Sequence, residues 1–387
     1  MVAFSKVFIA TAVGFATAHP GESHSANHVK REIVARENAA HAAARSLASC
    51  GNSAGAQALK ARSVQRRAEA LKSLRQKRGI KAPARKNRRT LEDLQAWEAV
   101  NHNQTGVYDY DAFTPLANIF DANTSCILAP EITDGPYYVA GEYFRSNVIE
   151  SESCEGVNLF LEVQYIDVNT CEAIPSVAVD VWNCNATGVY SGVDSTGQAG
   201  LNSTFLRGIQ LTDNEGVVQF ETIFPGHYSG RAIHTHLLAH TNATLEPNGT
   251  ISVFNAPVTH IGQLFYPDDL RAEVEATYPY NTNTADLTTN DEDMWSIVQA
   301  DSSYDPIPEY VYLGDDISDG LFAWIQIGVN ASADYSTDDY YGVAAYLAAD
   351  GGHSTGYTVG GGGGDGGEGN GTAPSGALSG APPSSTA

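Results

Sequence analysis

The pattern of apolar and polar residues changes along the chain near residue 125. Before that point, residues 37–47 and 56–77 are rich in Ala, Leu, Arg and Lys, which are good helix formers. Beyond it, short apolar stretches alternate roughly with period two and are separated by Gly, Pro, Asn and Asp. Seven such stretches are predicted as strands: residues 157–166, 177–182, 217–224, 233–240, 251–254, 260–266 and 321–329.

Strands without regular helices between them favour an antiparallel β-sandwich over a fold of alternating strands and helices. We therefore predict a mainly β catalytic domain over residues 91–358, in which an acidic excursion, residues 267–315, packs outside the sheets. Residues 359–387 are rich in Gly and Ser. They cannot bury much apolar area, so they are predicted to form a disordered tail.

Charge divides the chain in a similar way. Residues 1–90 hold 18 of the 22 basic residues and 4 acidic residues, whereas the remainder holds 4 arginines, no lysine and 41 acidic residues. A basic tract can indicate nucleic-acid binding, but this one begins like a secretory signal. Lys6 precedes an apolar run that ends in Ala16-Thr17-Ala18, a small-residue cleavage site.

We accordingly predict a signal peptide over residues 1–18 and a secreted, extracellular protein. The apolar run is too short to span a bilayer, so neither a membrane partner nor a nucleic-acid partner is expected. Residues 19–90 are predicted to be a basic, helical segment, and two interpretations of it are open: a removable pro-segment and a permanent arm. Four dibasic pairs are candidate processing sites: Lys30-Arg31, Arg66-Arg67, Lys77-Arg78 and Arg88-Arg89.

Eight glycosylation sequons and five cysteines agree with export. Cys126, Cys154, Cys171 and Cys184 fall within one stretch, and Cys50 lies alone in the basic tract. Two disulfides are expected among the four. All three pairings are open, and we favour the sequence-local ones, Cys126–Cys154 and Cys171–Cys184. The sequons lie at Asn103, Asn123, Asn185, Asn202, Asn242, Asn248, Asn330 and Asn370.

His234 and His236 are the first sign of a metal site. Residues i and i+2 of a strand point to one face, so both imidazoles converge while Thr235 faces away. The pair alone also fits a zinc- or copper-dependent hydrolase or oxidase, or a plain surface strand. His240 and His260 match no motif and are interpreted as ordinary strand histidines.

Two tyrosines extend the pattern. Tyr228 follows the turn at Pro225-Gly226, and Tyr190 lies in the loop after the strand that ends at Trp182. With the histidines they lie in segments that resemble, in order, the signature of the intradiol ring-cleavage dioxygenases, and most closely its secreted fungal branch. The segments are Glu131 to Tyr138, Asp180-Val181-Trp182, Gly188 to Gly192, Pro225 to Arg231 and His234-Thr235-His236.

This resemblance implies a β-sandwich that holds a non-haem Fe(III) and uses O2 to cleave a small catechol-type aromatic between its two hydroxyl-bearing carbons. The product is a cis,cis-muconate-type diacid. It further implies that Arg231 stabilises charge on the substrate, that Gln263 lines the pocket, and that Tyr228 leaves the metal and takes a proton when substrate binds. The implied metal ligands are Tyr190, Tyr228, His234 and His236.

The types of ligand agree with a ferric ion, because Fe(III) is hard and prefers anionic oxygen, whereas ferrous oxygenases favour two histidines and one carboxylate. This chain departs from many relatives in having Asn183 and Asn185 after the tryptophan. A catalytically inactive secreted binding protein of the same family is the alternative function. Monomer and homodimer are both open. The acidity of the domain predicts a preference for uncharged catechols.

Overall fold

The computed structural model describes residues 42–81, 127–128, 132–150, 154–247, 249–253, 256–293, 295–296, 306–338 and 341–357. Several predictions fall outside the described residues: the signal peptide, the tail, and the dibasic pairs Lys30-Arg31 and Arg88-Arg89. Cys126 and the sequons Asn103, Asn123, Asn248 and Asn370 also lie outside them. No helix among the described residues is both long enough and apolar enough to cross a bilayer.

Two helices come first in the described chain: α1, residues 42–50, and α2, Ala54–Arg78. A third, α3, spans Asp268–Glu275. The strands are β1 (Ile127–Leu128), β2 (Val139–Ala140), β3 (Asn158–Asp167), β4 (Ala178–Trp182), β5 (Arg207–Leu211), β6 (Val217–Ile223), β7 (His234–His240), β8 (Thr244–Leu245), β9 (Ile251–Ser252), β10 (Val258–Phe265), β11 (Glu309–Tyr312), β12 (Leu321–Val329), β13 (Ala345–Ala348) and β14 (Gly351–Ser354). All seven predicted stretches contain a strand, which confirms the mainly β prediction.

Two sheets pack face to face around the main core. The first has the order β1-β12-β3-β6, with β11 also paired to β12, and the second has the order β10-β7-β4-β5. Alternate side chains from both sheets fill the space between them, among them Leu161, Val181, Phe220, Leu237 and Ile325. The predicted sandwich is confirmed. The first sheet is mixed, because β12 runs parallel to both β1 and β3.

The outer face of the second sheet is covered by a third layer. Strands β14, β13 and β2 form a small sheet, and the residues just before β2 pack with them. Tyr138 packs against Trp182 of β4, with ring centroids 5.2 Å apart. Residues of β7 that alternate with the core positions therefore face an enclosed space between the second sheet and this layer.

The outer face of the first sheet is covered by helix α2. The helix begins at the N-cap Ser53, whose side chain accepts from the amide of Ala56, and ends at Gly79 in the left-handed conformation. One apolar stripe is buried against the sheet. In that stripe, Leu71 and Leu74 pack in one apolar cluster with Phe322 and Trp324 of β12.

Buried polar contacts join α2 to the same face. The Nε atom of Arg67 lies 2.8 Å from Glu162 of β3, and Arg66 lies 3.1 Å from the same carboxylate. Ser63 donates to Gln164 at 2.8 Å. Arg67 is fully buried, so the predicted processing pair Arg66-Arg67 is shielded from a protease in the folded protein.

The disulfide prediction was wrong. Cys50, at the end of α1, bonds to Cys171 across a sequence separation of 121 residues. Cys154 and Cys184 are buried free thiols, so neither sequence-local pair forms. The reason is tertiary: α1 packs beside the turn after β3, whereas the thiol of Cys184 points to the carbonyl of Gly226, 3.2 Å away.

Candidate metal centre

The two predicted histidine ligands lie on β7, on the enclosed outer face of the second sheet. Their Nε2 atoms are 3.0 Å apart. The Nδ1 atom of His234 lies 2.6 Å from the carbonyl oxygen of Ala232, which can only accept, so Nδ1 carries the proton and Nε2 presents its lone pair to the site. The ring of His236 stacks on Trp182 at a centroid distance of 4.5 Å, which fixes its orientation.

Two loops bring the tyrosines to these histidines. The hydroxyl of Tyr228 lies 3.3 Å from Nε2 of His234, and that of Tyr190 lies 3.5 Å from the same atom. The loops pack on each other at Gly188, which has a φ of +81°. A Cβ atom there would lie 2.4 Å from the carbonyl oxygen of His227, so only glycine permits this approach.

The four side chains predicted as ligands thus converge on one point. A bond of about 2.1 Å, as between imidazole nitrogen and a metal, puts ligand atoms at right angles about 3 Å apart. The observed separations of 3.0–3.5 Å fit this arrangement. Among the described residues, no group of three or more His, Cys, Asp or Glu could hold a metal ion. The hydrolase interpretation therefore has no third ligand of its usual type.

The electrostatics of the site call for a cation. Burial raises the pKa of Tyr190 well above its ordinary value, and burial likewise raises the pKa of Tyr228. In the protein alone both phenols are neutral. A highly charged metal ion would remove both protons, as bound cations do for water and thiols. Two phenolates and two neutral imidazoles form a donor set that suits Fe(III).

Arg231 and Gln263, both predicted site residues, meet beside the histidines. Gln263 of β10 lies opposite His236 of β7 in the strand pairing. Its side-chain oxygen accepts from Nη2 of Arg231, and its amide nitrogen donates to the carbonyl of Thr133 at 3.0 Å. Arg231 is fully buried. The structure therefore brings together all the residues that the sequence proposed for the site.

Asp293 is a site residue that the sequence analysis missed. Its Oδ2 atom accepts from Nε of Arg231 and from the amide of Ala232, each at 2.8 Å. Its Oδ1 atom accepts from the amide of Trp295 at 2.8 Å. Although burial opposes a charge on Arg231, the carboxylate of Asp293 raises the pKa of the guanidinium. Asp293 stands among several acidic residues, and nothing in the local sequence marks it.

The excursion that supplies Asp293 does more than pack outside the sheets. Asn283 donates to the carbonyl of His227 at 2.7 Å, and the amide of Gly230 donates to Thr288 at 3.1 Å. Both contacts support the loop that carries Tyr228. The prediction that residues 267–315 pack outside the sheets was wrong in part, because Glu309–Tyr312 of this stretch is β11, which pairs with β12 in the first sheet.

The remaining histidines and asparagines have other surroundings. His240 is buried with its Nε2 atom 3.0 Å from the hydroxyl of Tyr138, and burial lowers its pKa to about 4. His260 packs near the ring of Tyr165, with centroids 5.9 Å apart. Asn183 accepts from Thr222 at 3.0 Å. The interpretation of both histidines as strand residues agrees with these contacts.

Comparisons with known proteins concern the family of the chain. The family model Dioxygenase_C, described as dioxygenase, matches residues 133–273. An intradiol ring-cleavage dioxygenase from Tetranychus urticae is 30% identical; the match covers 54% of this chain and 97% of that one, with a TM-score of 0.44. The dioxygenase domain of a carbohydrate-binding fusion from Streptomyces sp. SirexAA-E is 22% identical, with coverage of 52% and 97% and a TM-score of 0.33.

Catechol 1,2-dioxygenase from Pseudomonas arvilla C-1 is also 22% identical, with coverage of 52% of this chain and 61% of that chain and a TM-score of 0.34. A search of curated proteins found no match. Because the chain is 30% identical over 97% of the Tetranychus protein and matches the dioxygenase family model, it belongs to the intradiol ring-cleavage dioxygenase family.

Proposed function

We propose that the protein is a secreted enzyme that binds Fe(III) through Tyr190, Tyr228, His234 and His236. It uses O2 to cleave a catechol-type aromatic between the two hydroxyl-bearing carbons, and it releases a muconate-type diacid. The observation that carries this proposal is the convergence of two phenol oxygens and two imidazole nitrogens at one point, with separations of 3.0–3.5 Å.

Ferric iron held there by the two tyrosines and two histidines would supply a Lewis acid that activates a catechol toward O2. The protein's own groups have separate tasks. Tyr228 is the less buried tyrosine and lies in a loop, so its phenol oxygen takes up a proton from the incoming hydroxyl. Tyr190 is held in a fully buried position and remains in place. Arg231 stabilises the negative charge that develops on the substrate.

Uncharged catechols are the substrate class that the charges favour. The guanidinium of Arg231 is held by Asp293 at 2.8 Å and is assigned to the charge that develops on the ring, so it is already engaged and does not serve a substrate carboxylate. Acidic residues support the Tyr228 loop from outside: Glu275 contacts His227, and the amide of Asp286 contacts Ser229. An anionic substrate therefore approaches a repulsive field. Catechol, alkylcatechols and hydroxyquinol should outperform protocatechuate in kcat/KM.

The test is an anaerobic titration of the iron-loaded protein with a panel of catechols, followed through the tyrosinate-to-iron charge-transfer band. We expect a red-brown protein whose band changes on binding, and formation of the ring-opened diacid when O2 is admitted. A protein that binds catechols without colour or turnover would be the inactive binding protein instead. Raising the ionic strength should narrow the gap between catechol and protocatechuate, because salt screens the field over about 8 Å.

Secretion has its own support. The Cys50–Cys171 disulfide is typical of an oxidising compartment. The sequon residues Asn202, Asn242 and Asn330 are exposed, whereas Asn185 is half-buried and its side-chain oxygen accepts from the amides of Thr187 and Val189. Glycosidase treatment of protein recovered from culture medium should lower its apparent mass. Its retention inside the cell would contradict this part of the proposal.

A further inference from the structure

A second buried arginine, Arg207, lies beside the loop that carries Tyr190. Arg207 is the first residue of β5, and its Nε atom donates to both the carbonyl and the hydroxyl of Ser191, each at 3.0 Å. Ser191 directly follows Tyr190. The contact needs Gly192, because a Cβ atom at that position would lie 3.2 Å from Nε of Arg207. Arg207 therefore fixes the backbone beside one of the two tyrosines.

The guanidinium also acts on the ring itself. Its central carbon lies 6.0 Å from the centroid of the Tyr190 ring. Arg207 is 2% exposed and Tyr190 is 1% exposed, so little water screens the interaction between them. A positive charge at this distance stabilises electron density on a phenolate, and it does so more strongly in the interior than at the surface.

Glu142 is the counter-ion on the far side of Arg207. Its Oε1 atom accepts from Nη1 of Arg207 at 3.3 Å, while Oε2 of Glu142 and Nη2 of Arg207 make no hydrogen bond within the described residues. The pair borders a small, partly open pocket that is also lined by Arg145 and Ser203. Arg207 thus donates to Ser191 through Nε and to Glu142 through Nη1, and the carboxylate offsets the charge of the guanidinium.

We propose that Arg207 tunes Tyr190 as an iron ligand: its charge lowers the electron-donating strength of the phenolate, and Glu142 partly offsets that charge. This inference rests on the proposed function, because it requires ferric iron bound to Tyr190. Charge transfer moves an electron from the phenolate to the metal. A cation beside the ring holds that electron more firmly, so the absorption band lies at shorter wavelength than it would without Arg207.

The test compares the charge-transfer bands of Arg207→Gln, Arg207→Lys and Glu142→Gln after loading with Fe(III). We expect Arg207→Gln to shift the band to longer wavelength, Glu142→Gln to shift it to shorter wavelength, and Arg207→Lys to keep it near the parent position. The measurement is made at about pH 8.5, because burial raises the pKa of Glu142 to about 7 and the carboxylate must be ionised.

The same variants give a second readout in the retention of iron. Loss of the cation makes the phenolate form of Tyr190 less favourable, so Arg207→Gln should release iron to a ferric chelator about tenfold faster than the parent. Arg207→Lys should restore retention. Glu142 also faces Arg145, Glu150 and Asp180, and all three are unchanged in each variant.

Arg145→Gln is the matched control. Arg145 lines the same pocket and donates to the carbonyl of Arg207 at 2.9 Å, but its charge is paired with Glu150 and it makes no ring contact with Tyr190 among the described residues. Its removal keeps the guanidinium of Arg207 and the carboxylate of Glu142, so the band should shift much less than in Arg207→Gln. If Arg207→Gln does not fold, the shift to shorter wavelength expected for Glu142→Gln still tests whether the charge of Arg207 acts on Tyr190.

Shifts in the same direction for Arg207→Gln and Glu142→Gln, or none in either, would overturn the tuning role and leave the proposed function standing. A parent protein that shows no charge-transfer band with Fe(III) would instead contradict the proposed function itself.

Discussion

The two outer faces of the sandwich both bury charge, but they differ in what balances it. On the first sheet, Glu162 lies beneath α2 and is matched by Arg67 and Arg66 of the same chain. On the second sheet, two tyrosines and two histidines converge at one point, and Arg231 beside them is already paired with Asp293. On the first face the buried carboxylate has cationic partners from the protein itself, whereas the second face has donor atoms that a metal ion would complete.

The first face therefore contributes mainly to stability, and the second face contributes mainly to function. Burial of a matched ion pair under a helix holds the arm on the sheet, and removal of either partner leaves an unbalanced charge in the interior. Burial of neutral phenols and imidazoles adds little stability beyond packing, but it prepares ligands for a cation. Substitutions on the two faces should therefore have opposite signatures, and the following tests are ordered from the largest expected effect to the smallest.

Tyr190→Phe should abolish stable iron binding, because it removes the fully buried phenolate. Tyr228→Phe should retain more iron but change the visible spectrum, since its oxygen lies in the more exposed loop. Iron content by metal analysis and the charge-transfer band measure both effects. The free energy of unfolding of the metal-free protein should change by less than about 1 kcal/mol in either variant. An unchanged spectrum in one variant would remove that tyrosine from the ligand set.

Glu162→Ala should have the reverse signature. The buried charge of Arg67 loses its partner, so the free energy of unfolding should fall by about 3–5 kcal/mol in urea titrations. The band of the protein that remains folded should be unaltered. Glu215→Ala is the control, because Glu215 pairs with Arg62, which is 54% exposed, and such pairs contribute about 0–1 kcal/mol. Equal losses in both variants would mean that α2 is not held by the buried pair.

The double substitution Cys50→Ser, Cys171→Ser should lower the free energy of unfolding by about 2–4 kcal/mol, because the bond closes a long loop in the unfolded chain. Reducing agent should produce a similar loss in the parent and none in the double variant. A further loss in the reduced double variant would reveal a second stabilising disulfide.

Asp293→Asn should lower kcat by about 100-fold while leaving the substrate-free band and the iron content unchanged, because it releases Arg231 without touching a ligand. Stopped assays under saturating catechol measure this loss. Asp291→Asn alters an exposed neighbour of the same charge and should be neutral. A changed spectrum in Asp293→Asn would show that this carboxylate supports the ligands themselves.

The smallest expected effect is the loss of stability at acidic pH. Burial alone would raise the pKa of Glu162, but Arg67 and Arg66 more than offset it and hold the pKa below its ordinary value of 4.5. The stabilisation is therefore complete above that value and is lost as the pH falls through the lower pKa of the folded state. Unfolding measured between neutral and acidic pH should show this decline, and Glu162→Gln should lack that component.

Local sequence was sufficient for seven of the strands and for the pairing of two histidines. The stretches of alternating residues became β3, β4, β6, β7, β9, β10 and β12, because one face of each packs into a core. His234 and His236 could be paired because their spacing on a strand fixes their common face. The tyrosines and Arg231 came from a resemblance of ordered segments.

The features that local sequence did not predict depend on contacts between distant segments. The parallel pairing of β12 with β3 joins residues far apart in the chain, and no local pattern encodes it. The role of Asp293 and the disulfide partner of Cys50 were missed for the same reason, because each depends on contact with a segment far away in the sequence. Strand β5 begins with Arg207-Gly208, which breaks the apolar alternation expected of a strand.

The position of α2 at the start of the described chain has a consequence for biosynthesis. Arg67 leaves the ribosome 95 residues before Glu162, and the carbonyls that accept from Arg75, those of Tyr312 and Leu313, follow still later. The apolar stripe of α2 therefore stays exposed to water until the first sheet has formed. During this interval its many cationic side chains stay hydrated and repel one another. The same arginines that later hold α2 on the sheet thus first keep it in contact with water.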